Sequence, residues 1–378
     1  MGIKGEWTRR AYEKLLMQNI RRALKHHSVS YEKLIRKRGR IYIKTENAEE
    51  TAFRLTRVFG ISSVSPAVED SSEMDEIVRM AVESADAVLE EGSSFAVRCH
   101  RVGKHPYTSM EVSREVGEQV LKKLKNRNLR VDLTNPQHTI SVEVREDYAY
   151  VFSETLHGVG GFPLGSQAKT VGLLSGGVDS SAACWLTMKR GCPLIPLYLD
   201  NAPFTDEDTT ARALDVAKKL FSWSIGFPRK IYVVPHGKNL EALVSEAPEK
   251  LTCVLCKRIM YRIAERVAEM ERADGVVTGE AIGEQASQTL HNLRVLNEAA
   301  VDYPIHRPLL GFDKRETEQL ARKIGTFEIC IRKTGGCSAA PKKPATKARL
   351  EAVKEAEREL DIARMVEESV RAAEVLKI

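Results

Sequence analysis

The chain has 378 residues, enough for two or three domains with separate cores, and its 43% hydrophobic and 29% charged residues are ordinary for a protein in water. No apolar run approaches the roughly 20 residues of a membrane span, and no secretory signal is recognisable, which excludes a membrane-spanning protein and predicts a cytoplasmic one. Its seven cysteines, an odd number, argue against a disulfide framework and for metal or redox use of some of them.

The net charge of +6 is concentrated at one end of the chain. Residues 1–50 carry 13 lysines and arginines against six glutamates, which leaves +7, whereas the remaining residues sum to −1. A basic excess confined to one end is typical of a surface that binds a phosphate backbone. A solvated basic helix without a ligand is the alternative.

The first 70 residues alternate helical and extended patterns. Helical spacing runs from Trp7 to His27, an alternating strand from Gly39 to Lys44, a second helix from Asn47 to just before Gly60, and another strand from Ile61 to Val68. This order predicts a small α+β unit over residues 1–70, with one strand missing at the front.

Residues 71–156 repeat the mixed pattern and predict a second α+β domain. The predicted elements are a helix over Glu73–Glu91, a strand over Phe95–Arg101, a helix over Ser109–Lys125, and a hairpin of Thr139–Val144 and Tyr148–Phe152. Residues 157–169 are rich in glycine and predict a linker.

Residues 170–345 show longer alternations of strand and helix. The predicted strands are 171–174, 194–199, 230–234 and 275–278, and the predicted helices lie near 179–190, 206–221 and 257–272. The alternation predicts an α/β domain with a doubly wound parallel sheet, in which ligands bind at the carboxyl ends of the strands. Ser175, Asp200 and Thr278 follow three of these ends. The charged, amphipathic pattern of residues 346–378 predicts a helical extension that reaches Ile378.

The stretch Val171–Ser181 reads as a buried strand, a turn with two glycines and the start of a helix. Gly176 and Gly177 allow the backbone close to a bulky anion, and the helix start favours negative charge there, so we predict a phosphate-binding loop. The Lys-Ser/Thr pair of a Walker A loop is absent from it. An ordinary glycine-rich turn with an aspartate cap is the alternative.

The string Ser175–Ser180, Ser-Gly-Gly-Val-Asp-Ser, resembles the PP-loop of ATP pyrophosphatases, which adenylate a substrate and release pyrophosphate. A carboxylate beside a polyphosphate is repulsive unless a metal ion bridges the two, so Asp179 indicates a catalytic role through Mg²⁺. The stretch Phe95–Tyr107, together with Val131–Pro136, resembles a THUMP domain, a module of tRNA-modifying enzymes.

The order of these segments over residues 1–348 resembles the tRNA 4-thiouridine synthase family of tRNA sulfurtransferases. Matching motifs include Gly160–Pro163, Ala202–Thr205, Thr278–Gly283 and Pro344–Ala348. The resemblance implies a ferredoxin-like unit, a THUMP domain and a PP-loop domain. It also implies tRNA as partner, ATP as substrate, a homodimer, and 4-thiouridine formation at position 8 through an adenylated uridine. In relatives, a supply of sulfur for the thiamine thiazole is also recorded.

The resemblance assigns residues to two sites. The ATP-binding residues it implies are Leu173, Leu174, Ser175, Gly176, Gly177, Ser180, Tyr198, Leu199, Lys257, Gly279 and Gln288. The RNA-binding residues it implies, with the basic clusters, are Lys4, Arg36, Lys37, Arg38, Arg98, Arg101 and Lys104. Lys257 taken alone could equally be a solvated helix residue, and the basic residues of the strand could be a solvated edge.

Two departures from the family pattern direct attention to the cysteines. Ser181 replaces the usual proline, and no rhodanese domain, which carries the persulfide sulfur in some members, is recognisable. Cys253 and Cys256 have metal-ligand spacing, and Cys337 stands where members keep a cysteine implicated in sulfur transfer. The resemblance to archaeal-type members implies a [4Fe–4S] cluster on these three. A structural zinc site and inert thiols remain alternatives.

The sequence therefore predicts a sulfurtransferase with Asp179 and Cys337 as catalytic residues and a sulfur donor that is sulfide or a persulfide carrier. Two other functions remain open. One is a PP-loop enzyme that thiolates another tRNA position. The other is a non-catalytic RNA-binding protein with ATP as a structural ligand, which would need neither Asp179 nor the cysteines.

Overall fold

The computed structural model describes residues 5–37 and 39–378. They form two compact units, one of Leu24–Gly160 and one that joins the residues up to Ala23 to Gly161–Ile378. Helix α1 (Glu6–His26) crosses the boundary between them. Leu16, Ile20 and Ala23 recur at helical spacing on α1 and are buried, so the amphipathic pattern that predicted this helix is also the reason it packs.

The unit Leu24–Gly160 is built on a five-stranded sheet of order β4-β8-β7-β5-β6, flanked by the antiparallel pairs β1–β2 and β3–β9. Its elements are β1 (Lys33–Lys37), β2 (Arg40–Lys44), α2 (Ala48–Leu55), β3 (Ser63–Val64), β4 (Val68–Ser71), α3 (Met74–Val88), β5 (Ser94–Val102), α4 (Ser109–Lys123), β6 (Arg130–Val131), β7 (His138–Arg145), β8 (Tyr148–Phe152) and β9 (Leu156–His157).

The core of this unit lies between the sheet and the helices α3 and α4. Ile77, Phe95, Val112 and Ile140 are fully or almost fully buried in one cluster, and they come from α3, β5, α4 and β7. The predicted strand over residues 61–68 is wrong in extent, because β3 and β4 are separate and pair with different partners. Pro66 stands between them and cannot donate to a ladder.

The second unit is built on a six-stranded sheet of order β14-β13-β10-β11-β12-β15. Its elements are β10 (Thr170–Leu173), α5 (Val178–Lys189), β11 (Leu194–Asp200), α6 (Glu207–Phe221), β12 (Lys230–Pro235), α7 (Gly237–Glu246), α8 (Thr252–Glu271), β13 (Val276–Val277), α9 (Leu290–Asn297), β14 (Ile305–His306), α10 (Lys314–Ile324), α11 (Phe327–Cys330), α12 (Leu350–Arg358), α13 (Ile362–Arg371) and β15 (Glu374–Lys377).

Strands β10 to β14 of this sheet run parallel, which confirms the predicted doubly wound architecture. The order reverses at β10, since β11 and β12 lie on one side and β13 and β14 on the other. Such a reversal opens a crevice outside the carboxyl ends of the strands, where ligands bind. The loop after β10 and the loop after β13 meet at this place.

The predicted helical run to Ile378 is wrong at its end. Helix α13 stops at Arg371, and β15 pairs antiparallel with β12 at the edge of the sheet. Four residues are too few to show a strand period, and β15 forms because the edge of β12 offers unpaired backbone groups. Among the residues described, no helix is both long and apolar enough to cross a membrane.

Candidate active site

The loop between β10 and α5 has the geometry of an anion cradle. Gly176 adopts a φ of +76°, and Gly177 precedes the helix in an extended conformation without a side-chain cap. The hydroxyl of Ser180 accepts from the backbone N–H of Ser175 at 3.2 Å and donates to the carbonyl of Gly177 at 3.1 Å. The helix start is therefore open toward a ligand, while its own serine fixes the turn.

Gly279, in the loop after β13, lies directly against this helix start. A Cβ atom at Gly279 would stand 2.5 Å from the backbone nitrogen of Ser180 and 2.6 Å from the carbonyl carbon of Asp179. No side chain fits there, so the glycine is required for the two loops to meet. The structure thus brings together three of the residues that the sequence assigned to the nucleotide, Ser175, Ser180 and Gly279.

Asp179 forms an ion pair with a lysine that the sequence did not single out. The ammonium of Lys314 donates to both carboxylate oxygens of Asp179, at 2.8 and 3.0 Å. Lys314 is the first residue of α10, where Asp313 and Glu316 form a capping box that fixes the start of the helix. Because 135 residues separate the partners, no local pattern could have predicted the pair.

The next strand along the sheet supplies Tyr198 and Leu199, both buried near the end of β11. The Tyr198 hydroxyl lies 3.0 Å from the hydroxyl of Thr210. Asp200 ends the strand, and its Oδ1 accepts from the backbone N–H of Ala202 at 3.1 Å. Leu173, at the end of β10, is half-buried and Leu174 is buried.

Gln288 carries an unused acceptor. Its side chain is only 5% exposed, and its Oε1 atom has no hydrogen-bond partner within the described part of the chain. The backbone of Gln288 holds the loop in place, because its carbonyl accepts from the N–H of Gly283 at 3.1 Å. A buried amide oxygen without a partner is costly unless a ligand supplies the donor, so this residue fits a nucleotide contact.

Lys257 is held by a buried carboxylate, Glu280. The ammonium lies 3.1 Å from Oε1 of Glu280, whose Oε2 accepts from the Tyr261 hydroxyl at 2.5 Å and from Nε of Arg307 at 2.8 Å. Burial opposes ionisation of Glu280, but the two cations and the hydroxyl outweigh it and keep its pKa below the ordinary value. Glu280 therefore fixes two cations at this edge, of which sequence reasoning found only Lys257.

The three cysteines assigned to sulfur chemistry lie close enough to influence one another. Burial raises the pKa of the Cys253 and Cys256 thiols, and the nearby Cys337 raises both further. Cys253 and Cys256 lie in the first turns of α8, and Cys337 lies in an irregular loop, from which its side chain packs against the same core. The structure thus brings the distant cysteine to the pair.

Cys256 has a buried partner that the sequence did not indicate. Nε2 of His236 lies 3.3 Å from Sγ of Cys256, and Nδ1 of His236 lies 3.0 Å from the Asn239 side-chain nitrogen. His236 is completely buried, and burial lowers its pKa to about 4, so the ring is neutral at physiological pH. His236 follows β12, and only its place after a predicted strand end could have pointed to it.

The predicted iron–sulfur site does not fit the side-chain positions of this conformation. Among residues 5–37 and 39–378, no group of three or more His, Cys, Asp or Glu side chains is arranged to hold a metal ion. The three thiols are neighbours but not a ligand set, and Cys256 already contacts His236.

The basic residues assigned to RNA belong to the unit Leu24–Gly160. Arg36 and Lys37 lie on β1 and are exposed, Arg98 and Lys104 are exposed, and Arg101 is half-buried. Lys37 lies over the ring of Tyr148 at 5.4 Å, an arrangement that leaves its charge near an aromatic face. Lys4 and Arg38 lie outside the described residues.

Comparison with known proteins covers the chain from end to end. Residues 165–362 match the model of the ThiI family, described as thiamine biosynthesis protein, residues 71–154 match the THUMP domain, and residues 1–65 match the ThiI ferredoxin-like domain.

Two of the relatives that are named probable tRNA sulfurtransferase show the extent of the match. The protein from Methanosarcina mazei is 39% identical over 100% of this chain and 93% of its own length, and the protein from Methanobrevibacter smithii is 41% identical over 98% and 96%. The crystal structure of a 4-thiouridine synthetase–RNA complex with bound ATP matches with a TM-score of 0.91 and 32% identity, over 100% of this chain and 97% of the other.

The family models account for the order of the domains, and the relatives match over the full length of the chain. The chain therefore belongs to the ThiI family of tRNA sulfurtransferases.

Proposed function

We propose that this chain is an ATP-dependent tRNA sulfurtransferase that converts a tRNA uridine, at position 8, into 4-thiouridine. The observation that carries the proposal is the crevice at β10 and β13, where Gly279 packs against an open helix start that carries the Asp179–Lys314 pair. The loop after β13 that contains Gly279 also carries the unpartnered Gln288 oxygen. The names of the full-length relatives and of the matching RNA complex support the same function.

ATP fits the polar groups of this crevice. The backbone N–H groups of Gly176 and Gly177 suit the phosphates, and Lys257 and Lys314, which are held by Glu280 and Asp179, supply positive charge. The buried amide of Gln288 suits a donor on the base, and Leu173, Leu174, Tyr198 and Leu199 offer apolar walls and backbone groups at the two strand ends.

The first chemical step makes the uridine oxygen a leaving group. O4 of uridine attacks the α-phosphorus of ATP, the bond from that phosphorus to the bridging oxygen breaks, and pyrophosphate departs. Asp179 would hold Mg²⁺, which neutralises the charge that develops on pyrophosphate. Lys314, which contacts both carboxylate oxygens of Asp179, would supply a second positive charge for the phosphates.

The second step replaces oxygen by sulfur. The nucleophile is hydrosulfide, either free or released from a carrier's persulfide when a thiol attacks the inner sulfur and is oxidised to a disulfide with the carrier. It attacks C4 of the adenylated uridine, the C4–O bond breaks with loss of AMP, and one proton leaves to give 4-thiouridine. The family resemblance assigns this sulfur chemistry to Cys337, and Cys253 and Cys256 are its neighbours. A [4Fe–4S] cluster on the three stays a prediction and enters neither step, because their present positions do not form a ligand set.

The RNA partner is proposed to bind the unit Leu24–Gly160 through Arg36, Lys37, Arg98, Arg101 and Lys104. The proposal includes a homodimer and a cytoplasmic location, which the family resemblance and the substrates, ATP and tRNA, support. Sedimentation of the purified protein with and without tRNA tests the dimer.

The decisive experiment is mass spectrometry of tRNA nucleosides. Purified protein, incubated without oxygen with tRNA, ATP, Mg²⁺ and sulfide, should produce 4-thiouridine and one pyrophosphate per thiolation. Asp179→Ala should bind tRNA normally and lose pyrophosphate release by about 100-fold or more, because the metal-binding carboxylate acts in adenylation.

Other outcomes identify the alternatives. A different thiolated nucleoside would indicate another modified position, and tRNA binding without any pyrophosphate release would indicate a non-catalytic binder. A parallel sample reconstituted with iron and sulfide tests the cluster, since absorption near 400 nm that disappears in Cys337→Ala would support it, whereas a colourless and active protein would contradict it.

A further inference from the structure

Cys337 lies on a stretch of chain that has no helix or strand of its own to hold it. The loop between α11 and α12 runs irregularly from Arg332 to Arg349. The side chain of Cys337 is half-buried and packs against the core of the second unit. What fixes its place must therefore come from contacts of the loop with other elements.

Two backbone hydrogen bonds bracket the cysteine. The N–H of Gly335, two residues before it, donates to Oδ2 of Asp206 at 2.6 Å. The N–H of Ser338, one residue after it, donates to the carbonyl of Phe204 at 2.9 Å, and the Ser338 hydroxyl reaches the same carbonyl at 3.3 Å. Both acceptors belong to one short segment, residues 201–206, between β11 and α6.

This segment is itself tightly fixed to the nucleotide-binding edge. It begins after Asp200, whose side chain accepts a hydrogen bond from the backbone N–H of Ala202. The carbonyl oxygen of Ala202 lies only 1.7 Å from where a Cβ of Gly237 would be, so only glycine permits this packing. Gly237 adjoins His236, the partner of Cys256. The segment thus touches the strand that carries Tyr198 and the residues around Cys256.

Asp206 serves two elements with its two carboxylate oxygens. Oδ1 caps α6 and accepts from the N–H of Thr209 at 2.9 Å and from its hydroxyl at 2.6 Å, whereas Oδ2 accepts from Gly335. Hydrogen bonds from Thr209 and from Gly335 keep the pKa of Asp206 below its ordinary value, so both oxygens are acceptors at neutral pH.

We propose that Asp206 is a positioning residue for the sulfur-transfer step, which holds the loop of Cys337 against the segment that follows β11. The inference rests on the proposed function for its effect on thiolation, but the positioning itself is a property of the chain alone. A thiol placed near C4 of an adenylated uridine has to be held to within about 1 Å, since errors of that size cost on the order of 100-fold in rate.

Asp206→Asn tests this role without removing the cap of α6. Asparagine caps helices as well as aspartate does, so its side-chain oxygen can still accept the hydrogen bonds from Thr209. Its NH₂ group, however, would face the Gly335 N–H, and two donors cannot form a hydrogen bond. We expect normal tRNA-dependent pyrophosphate release, an unchanged KM for ATP and about a 10-fold or greater loss of thiolation. Alkylation of Cys337, followed by peptide mass spectrometry, should become faster relative to Cys99 in the same molecule.

A second pair of variants leaves α6 untouched. A Cβ at Gly335 would stand 2.9 Å from Oδ2 of Asp206, whereas a Cβ at Gly336 would meet nothing within 4 Å. Gly335→Ala should therefore reproduce the faster alkylation of Cys337 in weaker form, and Gly336→Ala is the matched control that should behave as the wild type does.

The outcomes separate the two proposals. Wild-type alkylation rates at Cys337 and wild-type thiolation in folded Asp206→Asn and Gly335→Ala would overturn the positioning role. Equal losses of pyrophosphate release and thiolation would also overturn it, because the residue would then serve the nucleotide. If the wild-type protein forms no thiolated nucleoside, the proposed function fails, and the alkylation rates still decide whether Asp206 holds the loop.

Discussion

Two buried glutamates at opposite ends of the parallel sheet are bound by almost the same groups. Glu280, beyond the carboxyl end of β13, binds a lysine, an arginine and a tyrosine hydroxyl. Glu271, the last residue of α8, accepts from Lys230 and the Tyr232 hydroxyl, each at 2.5 Å, and from Lys169 at 3.4 Å. Lys169 precedes β10 and Lys230 begins β12, so this cluster lies at the amino ends.

The difference between the two clusters is their surroundings. Beside Glu280 stand Gly279, pressed against the phosphate-binding helix start, and the loop with the unpartnered oxygen of Gln288. Beside Glu271 there is a cavity of about 140 Å³, but both lysines that line it are already bound to the glutamate. A buried ion cluster therefore indicates function only where the fold also presents open donors and acceptors.

The largest expected effect comes from breaking the Glu280 cluster. Glu280→Gln should lower kcat/KM for pyrophosphate release by on the order of 100-fold, because Lys257, which is proposed to bind ATP, loses the charge that holds it in place. Glu271→Gln should keep most of the activity. The test is a steady-state assay of pyrophosphate release by both variants, at a temperature at which both are folded. Similar values of kcat/KM for the two variants would contradict the distinction between the clusters.

Glu271 should instead matter for stability. Glu271→Gln leaves Lys169 and Lys230 without their shared carboxylate at a site where the glutamate is only 8% exposed. Removing one partner of a buried ion cluster typically costs 3–5 kcal/mol, and since both lysines are partly exposed we expect about 2 kcal/mol here. Urea unfolding measures the loss, with Tyr232→Phe as a milder control, and an unchanged midpoint would show that the cluster is dispensable.

The pH dependence of stability should follow the same carboxylate. Burial opposes ionisation of Glu271, but Lys230 and the Tyr232 hydroxyl outweigh it and hold its pKa below the ordinary 4.5. The folded state therefore binds fewer protons than the unfolded state, so the stabilisation is complete above about pH 4.5 and is lost as the pH falls through the folded pKa. The free energy of unfolding of Glu271→Gln should fall less over this range than that of the wild type.

Local patterns in the sequence predicted the sheet and the loops at its strand ends. The glycines of the loop after β10, the strands on either side and the amphipathic α1 are each specified by residues within one short window. The family resemblance added Lys257, Gly279 and Gln288, which the periodicity alone would have left as ordinary helix and loop residues.

Partners supplied from far along the chain could not be predicted in this way. Lys314 reaches Asp179 across 135 residues, and Asp206 reaches Gly335 across 129. His236 and Arg307 have no motif of their own, and β15 is a strand only because β12 has a free edge. In each case the tertiary fold decides which groups meet, and a local window of sequence shows only which residue types are present.

The smallest expected effect is on the salt dependence of tRNA affinity. In the unit Leu24–Gly160, as in the two clusters, some charges are bound by partners and others are available to a ligand. Arg98 and Lys104 form no ion pair within the described residues, whereas Arg79 is bound by three carboxylates at 2.5 to 3.2 Å. Only a cation that is available to phosphate releases counterions on binding RNA. Neutralising Arg98 and Lys104 together should therefore reduce the slope of log affinity against log salt concentration by about 1.4, which is roughly 0.7 for each phosphate contact that is lost. Arg79→Gln is the matched control and should leave the slope unchanged. An equal change in both variants would mean that the slope reports net charge and not this surface.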